Sequence, residues 1–338
     1  MQRLYDFISP HFHGIIRLMK ILLTGINGFV GGHLAQRLIT NPTNQVWGIA
    51  RGSQLALPEL IGHVELVSCD LRDHQALRSA MATIAPDAII HLAAQASVAK
   101  SFGDAVNTMH DNVLPSVALM QYAVELKLDP LIIIAGSNEI YGNVPPDHMP
   151  INEDEPLHPV TPYGVSKAAA DMAGYQWFMS HNVRTIRLRL FSHIGPRQSD
   201  TYALSAFAAQ IARIEAGLQA PILKVGNLSA RRDISDVRDV AAAYDVLLTH
   251  GEAGAAYNVG AGQSHEIGQL LERLVAHSRV PITVEVDPAR LRPVDVPDLV
   301  CDNRRLRHAT GWHPQIPLDT TLSDMLDYWR RVIKESKV

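Results

Sequence analysis

Between Lys20 and Leu190, short apolar runs of strand length alternate with stretches of helical length, and no other feature of the sequence restricts the fold as much. The runs are Ile21 to Leu23, Val46 to Ala50, Val64 to Ser68, Ala88 to Leu92, Leu131 to Ala135 and Thr185 to Leu190. The stretches between them include Leu34 to Ile39, His74 to Ile84, Asp111 to Leu126 and Lys167 to Met179. Strands that are apolar along their whole length need cover on both faces, and alternation with helices supplies it through βαβ units and a parallel sheet. Right-handed crossovers then make the expected architecture a doubly wound α/β sheet.

After Phe191 the texture changes. Strand-like runs become shorter and more widely spaced, as at Ile222 to Val225, Ala256 to Val259 and Ile282 to Val286. Helical spacing persists in Phe207, Ile211, Ile214 and Leu218, in Ile267, Leu270, Leu271, Leu274 and Val275, and in Leu322, Met325, Leu326 and Trp329. The chain of 338 residues is long enough for about two structural units of roughly 150 residues. The expected division is a dinucleotide-binding domain over 19–190 and a smaller, partly interleaved α/β substrate lobe over 191–338. Residues 1–18 show no clean periodicity and no continuous apolar core, and Met19-Lys20 reads like a protein start. They are expected to be a loose arm, sequence ahead of an alternative start, or an arm that packs on a neighbouring subunit. Stretches rich in Pro and Gly at Gly142 to Pro162 and Asp287 to Pro297 are long enough to be loops that shape a site.

Composition excludes several classes. Hydrophobic residues make up 47%, enough for a large core without disulfides or metals as staples. Thirty basic against 34 acidic side chains argue against a general nucleic-acid or membrane-surface binder. Two cysteines, Cys69 and Cys301, cannot make a disulfide framework or a zinc cluster and fit a reducing, cytoplasmic setting. No apolar run approaches the ~18 residues of a membrane span. The 16 histidines contain no HExxH or similar ligand spacing, so no metal site is expected, and His193 and His265 read as structural.

The first strand runs into Thr24-Gly25-Ile26-Asn27-Gly28-Phe29-Val30-Gly31-Gly32, and a helix follows. Glycines spaced GxxGxxG after the first strand of a βαβ unit let backbone approach a pyrophosphate and aim the helix amides at it. Gly25, Asn27, Gly28, Phe29, Val30 and Gly31 are therefore candidate cofactor contacts. At the end of the second strand an NAD site usually carries an acidic residue for the ribose hydroxyls. Here Arg51 stands there, which suits a 2′-phosphate and favours NADP over NAD. Asp70 and Leu71 close the third strand where adenine would lie, and Leu92, Ala93 and Ala94 close the fourth with small side chains.

Tyr163-Gly164-Val165-Ser166-Lys167 places a phenol and an ammonium one helical turn apart on one face. A free tyrosine has a pKa of ~10, and a nearby ammonium is expected to lower it toward useful acid–base chemistry. Lys167 is also placed to hold a nicotinamide ribose. Ser137, directly after the fifth strand, is a candidate donor to the reacting oxygen. There is no GxSxG elbow, so a hydrolase is not indicated.

These motifs resemble the extended short-chain dehydrogenases/reductases that act on nucleotide sugars. The likeness runs over essentially all of 19–338. It rests on the Gly25/Gly28/Gly31 loop, His91 to Ala94, Ser137 with Tyr141-Gly142, and Tyr163 with Lys167. It implies a Rossmann-type fold, an NAD(P)-dependent oxidoreductase, and a catalytic triad of Ser137, Tyr163 and Lys167. It also implies a homodimer through a four-helix interface, with 107–126 and 167–179 as candidate helices. Segments after the triad are similar to members that reduce the C4 ketone of GDP-4-keto-6-deoxy-D-mannose, giving GDP-D-rhamnose or its C4 epimer. These segments include Phe191 to Gln198, Lys224 to Leu228, Arg232-Asp233 and Thr310-Gly311-Trp312. By that likeness Ser192, Lys224, Val225, Asn227, Arg232 and Arg292 contact a GDP-linked deoxyhexose, the two arginines through its phosphates. Ser192 stands where such members usually have Asn and Arg197 where they usually have Gly, both on the expected path of the substrate.

Glu139 keeps a second enzyme open. Ser137-Asn138-Glu139 is similar to the pattern of GDP-mannose 4,6-dehydratases, in which the glutamate removes the C5 proton. A loop glutamate bound to backbone or water fits the same residue, and another nucleotide-sugar dehydratase or epimerase fits the rest. A reading from a different class, a dead relative that senses dinucleotide and binds protein partners, would be expected to have lost part of Ser137, Tyr163 and Lys167. All three are present.

Overall fold

The structure is a computed structural model, and it describes residues 18–290 and 298–336. The strands are β1 (Met19–Thr24), β2 (Asn44–Ala50), β3 (Val64–Ser68), β4 (Ala88–His91), β5 (Leu131–Ala135), β6 (Thr185–Leu190), β7 (Ser192–Ile194), β8 (Ile222–Val225), β9 (Arg231–Asp236), β10 (Ala256–Val259), β11 (Ser264–Glu266) and β12 (Thr283–Val286). The helices are α1 (Phe29–Leu38), α2 (His74–Ile84), α3 (Val98–Gly103), α4 (Ala105–Glu125), α5 (Pro162–His181), α6 (Ala203–Glu215), α7 (Val237–His250), α8 (Ile267–Ala276), α9 (Arg304–Thr310) and α10 (Leu318–Glu335).

Seven strands form one parallel sheet in the order β10-β6-β5-β4-β1-β2-β3. Its strands are buried on both sides, as their unbroken apolar character requires. Ile21 and Leu23 face one layer with Leu34, Tyr244 and Leu247, from α1 and α7. Leu22 between them faces the other layer with Leu77, Leu119 and Ala170, from α2, α4 and α5. The sheet is thus doubly wound. The order of strands reverses between β1 and β4, and the crevice beyond their C-terminal ends is where such sheets receive ligands.

The second half of the chain does not stay apart from this sheet. β10 lies parallel on β6, with Tyr257 opposite Leu188 and Val259 opposite Leu190, and so extends the main sheet. The remaining strands form a three-stranded sheet, β11-β9-β7, and a parallel pair, β12-β8. Phe207, Ile211, Leu270, Leu274, Met325 and Leu326 close a separate core between α6, α8 and α10. The Pro- and Gly-rich stretch after Gly142 crosses between the halves. Ile151 bridges to Cys301, with its N–H on Val300 O at 2.8 Å and its carbonyl accepting from Asp302 N at 2.8 Å. Among the described residues, no helix is long and apolar enough to cross a membrane.

Candidate active site

The turn after β1 is built for close approach. Gly25 has φ +73°, a conformation that suits glycine. A Cβ there would lie 2.8 Å from the backbone nitrogen of Ala93, at the end of β4. On Gly31 a Cβ would collide with the carbonyl oxygen of Gly25. α1 therefore starts tight against the strand. Gly28, the N-cap just ahead of it, provides no side-chain cap, which leaves first-turn N–H groups for an anion. Val30 is half-buried in the same turn, and Phe29 stacks on His193 at 6.0 Å between ring centroids. Asn27 turns away from the turn: its Nδ2 donates to Gln54 O and its Oδ1 accepts from Ala56 N, both at 2.9 Å.

The other expected cofactor residues lie at the C-terminal ends of the strands. Arg51 is exposed directly after β2, Asp70 is exposed after β3, and Leu71, Leu92, Ala93 and Ala94 are half-buried. Thr24 holds β1 and β4 together at this edge. Its Oγ1 pairs with His91 Nδ1 at 2.8 Å and accepts from Ala93 N at 3.2 Å. Burial, with the charge of Lys167 pushing the same way, drives the pKa of His91 down to about 3, so this imidazole is neutral. The donor set (an uncapped helix start, a glycine cradle and small residues along two strand ends) fits a dinucleotide.

Tyr163 and Lys167 occupy the first two turns of α5, which starts at Pro162 behind the N-cap Thr161, whose Oγ1 accepts from Gly164 N at 2.9 Å. Tyr163 N donates to Ser101 Oγ at 3.2 Å, which ties α5 to α3. Ser137 lies near enough to the Tyr163 phenol to favour its ionised form, and Lys167 Nζ lies 5.9 Å from the Tyr163 ring centroid. Ser137 Oγ also accepts from Glu139 N at 3.2 Å. Glu139 packs closely enough that a Cβ on Gly164 would meet its carbonyl at 2.7 Å. The four side chains Ser137, Glu139, Tyr163 and Lys167 thus come together at the end of β5.

The electrostatics differ from expectation. Lys167 was expected to pull the Tyr163 pKa down. Instead burial raises the phenol above its ordinary value, opposed by the Ser137 side chain and reinforced by Tyr202 and Glu139. Lys167 itself is pushed down to about 8 by burial, and its Nζ donates to Ala135 O at 2.8 Å. Desolvation in the closed site thus pushes both groups toward their neutral forms.

The expected substrate residues are carried by the second lobe. Ser192 is half-buried at the start of β7. Lys224 is exposed on β8, its main chain held on both sides by Gln210 at 3.0 Å, and Val225 is buried beside it. Asn227 accepts from Ser229 N at 3.0 Å and Ser229 Oγ at 2.9 Å, and Arg232 Nη1 donates to Arg231 O at 2.6 Å. Arg292 lies outside the described residues. Arg197, expected on the path of the substrate, points elsewhere. With φ +74° it directs its guanidinium to α1, where Nη2 donates to Gln36 Oε1 at 3.0 Å.

Two further residues belong to this neighbourhood. Asn112, buried on α4, accepts from Gln95 N at 2.7 Å and donates to Gln95 O at 3.1 Å and Ser166 Oγ at 2.9 Å. Tyr202, ahead of α6, reaches from the second lobe to Ala96 O at 3.4 Å and acts electrostatically on Tyr163. A polar amide inside an apolar helical stretch was a signal for the first. Nothing local marked the second.

A family model described as GDP-mannose 4,6 dehydratase matches residues 22–325. The chain is 36% identical over 316 residues to the GDP-6-deoxy-D-mannose reductase of Pseudomonas aeruginosa, covering 94% of this chain and 99% of that protein. It is 28% identical to GDP-mannose 4,6 dehydratase 2 of Arabidopsis thaliana, covering 94% and 88%. Among solved structures, RMD from Pseudomonas aeruginosa complexed with NADPH superposes with a TM-score of 0.80 at 34% identity, over 93% of this chain and 99% of that one.

Proposed function

The chain belongs to the GDP-mannose 4,6 dehydratase family of extended short-chain dehydrogenases/reductases, and on that premise we propose that it reduces the C4 ketone of GDP-4-keto-6-deoxy-D-mannose with NADPH, to GDP-D-rhamnose or its C4 epimer. The observation that carries this reading is the gathering of Ser137, Tyr163 and Lys167 at the end of β5, with Lys167 Nζ 5.9 Å from the Tyr163 ring centroid one turn further along the same buried face. The similarity to a reductase and to a structure solved with NADPH supports the same substrate and cofactor.

The dinucleotide would be held by the turn Gly25 to Gly31, by Arg51 at a 2′-phosphate, by Asp70 and Leu71 at adenine, and by Leu92 to Ala94. When bound, the nicotinamide supplies the hydrogen and electron pair that reach C4. The protein's own groups manage the oxygen. Ser137 donates to the carbonyl oxygen and polarises it. Tyr163, whose raised pKa keeps it protonated at neutral pH, transfers its proton to that oxygen as the carbonyl becomes an alcohol. Lys167 stabilises the phenolate that remains and is placed to hold the ribose. Ser192, Lys224, Val225, Asn227, Arg232 and Arg292 are the proposed contacts to the sugar nucleotide.

The deciding test is incubation with the 4-keto-6-deoxy sugar nucleotide and NADPH, with the product identified. Stoichiometric oxidation of NADPH is expected, and Tyr163→Phe should reduce turnover by about 10²- to 10⁴-fold while leaving the fold and NADPH binding intact. Retained turnover in that variant would refute the assignment. Glu139 favours a second reading, because its charge acts directly on Tyr163 as a base next to the reacting centre would. A 4,6-dehydratase would consume GDP-mannose with no added NADPH. A cytoplasmic homodimer completes the proposal. Val106 (82% exposed) on α4 and Met172 and Met179 (62% each) on α5 leave apolar surface on the two helices that would pair in a four-helix interface.

A further inference from the structure

Asn27 occupies the phosphate-binding turn, yet both ends of its amide are engaged by another segment. Residues 51–57 belong to no helix or strand. This loop leaves the sheet at Ala50, whose carbonyl accepts from Cys69 N at 2.9 Å, and it carries Arg51, Gly52 and Ser53 exposed. Its far end is fastened to α1. Leu57 packs so closely on Gly32 that a Cβ there would meet its Cδ1 at 2.8 Å, and Gln36 Nε2 donates to Glu59 Oε1 at 2.6 Å. Between these anchors, Asn27 grips Gln54 O and Ala56 N, both at 2.9 Å. Asparagine combines a donor and an acceptor at one planar end, whereas an ionised aspartate offers only acceptors and alanine offers neither.

We infer that Asn27 is a positioning residue for NADP selectivity: it fastens the 51–56 loop to the phosphate-binding turn and so holds Arg51 at the distance of a 2′-phosphate. This rests on the proposal that Arg51 meets that phosphate. Arg51 is exposed and follows directly on the last residue of β2, so its guanidinium keeps its direction only if the three residues up to Gln54 are held. Asn27 therefore acts through Arg51 on one phosphate. A residue that only shaped the pyrophosphate turn would affect all adenine dinucleotides alike.

Dissociation constants for 2′,5′-ADP and 5′-AMP, which differ by the one phosphate, test this on the full-length protein. Wild type should prefer 2′,5′-ADP. Asn27→Ala should weaken 2′,5′-ADP about ten-fold, the size of one charge-assisted contact, and change 5′-AMP by less than about two-fold. On an Arg51→Ala background, Asn27→Ala should have no further effect on 2′,5′-ADP, because the pair acts as one unit. Equal weakening of both ligands, no weakening of either, or a full loss on the Arg51→Ala background would each overturn the inference. Wild type binding both ligands alike would instead overturn the NADP reading, and the inference with it. Should Asn27→Ala fail to fold, Asn27→Leu, similar in size but with neither donor nor acceptor, carries the same test.

Discussion

Lys167 shows how one buried side chain sets the working range of the site. Its ammonium donates to Ala135 O at 2.8 Å, and burial lowers its pKa to about 8. A lysine with a lowered pKa is charged below that value and neutral above it. Tyr163, raised by burial, keeps its proton over the same range. The phenol is therefore a competent donor at neutral pH, and the charge that must stabilise its phenolate vanishes first on the alkaline side. The expected kcat/KM for ketone reduction is level below pH 8 and falls about ten-fold per pH unit above it. A profile that stays level to pH 9.5 would assign no role to this charge. The sequence made the Tyr163–Lys167 pairing legible, because a spacing of four on a helix is geometry. The sign of the tyrosine shift was not legible, since it depends on how little water reaches the pair, and that is a property of the folded site.

At the level of elements, α4 fixes the site without touching the reaction. Asn112 joins the loop after β4 to α5: it holds Gln95 on both sides, and its third contact, Ser166 Oγ, itself donates to Tyr163 O at 2.7 Å. Asn112→Ala would leave the Gln95 N–H and C=O and the Ser166 hydroxyl without this partner inside the fold. It should cost about 2–3 kcal/mol in urea unfolding. Turnover should fall as well, because the β4 loop and the start of α5 lose their common brace. Unfolding at the wild-type midpoint would remove the brace from the account. The apolar elements of the first half were readable at this scale. The expected boundaries of β3, β5, β6 and α2 match the structure, since continuous apolar runs and a clear helical face report burial directly. β7, β9 and β11 were not anticipated. Ser192-His193-Ile194, Arg231-Arg232-Asp233 and Ser264-His265-Glu266 contain almost no apolar signal, and their strands exist because partners from distant sequence supply the pairing. The place of β10 in the main sheet was hidden for a similar reason. Its run is apolar, but which strand it joins is settled only in three dimensions.

Across the whole molecule, buried and half-buried titratable groups make stability depend on acid, and three of them are shifted far. His91 lies between β1 and β4 with its pKa driven down to about 3 by burial. His33, on α1, reaches across to the second lobe, where Nε2 lies 2.9 Å from Pro196 O, and burial brings it down to about 4. Asp233, on β9, accepts from Ala261 N at 2.7 Å, Gly262 N at 2.8 Å and Cys301 N at 2.9 Å. Burial nevertheless raises it to about 6. The signs oppose one another. A histidine whose folded pKa is lowered costs stability as pH falls below its unfolded value of ~6.5, because only the unfolded chain takes up the proton. A carboxyl whose folded pKa is raised restores stability over pH 6 to 4, because there the folded state takes up the proton first. From pH 7 to pH 5 His91 and His33 each remove about 2 kcal/mol and Asp233 restores about 1, so these three together remove about 2–3 kcal/mol; His193, also lowered by burial, adds to the loss, and Glu153 and Asp239, raised by burial, offset it. Urea unfolding at the two pH values measures it directly. His33→Gln should lose less of its stability over this interval than wild type, by about 2 kcal/mol, since a glutamine neither titrates nor differs between the states. A His33→Gln protein that loses as much stability as wild type over this interval would mean that water reaches this imidazole, and the closed packing between α1 and the second lobe would have to be abandoned.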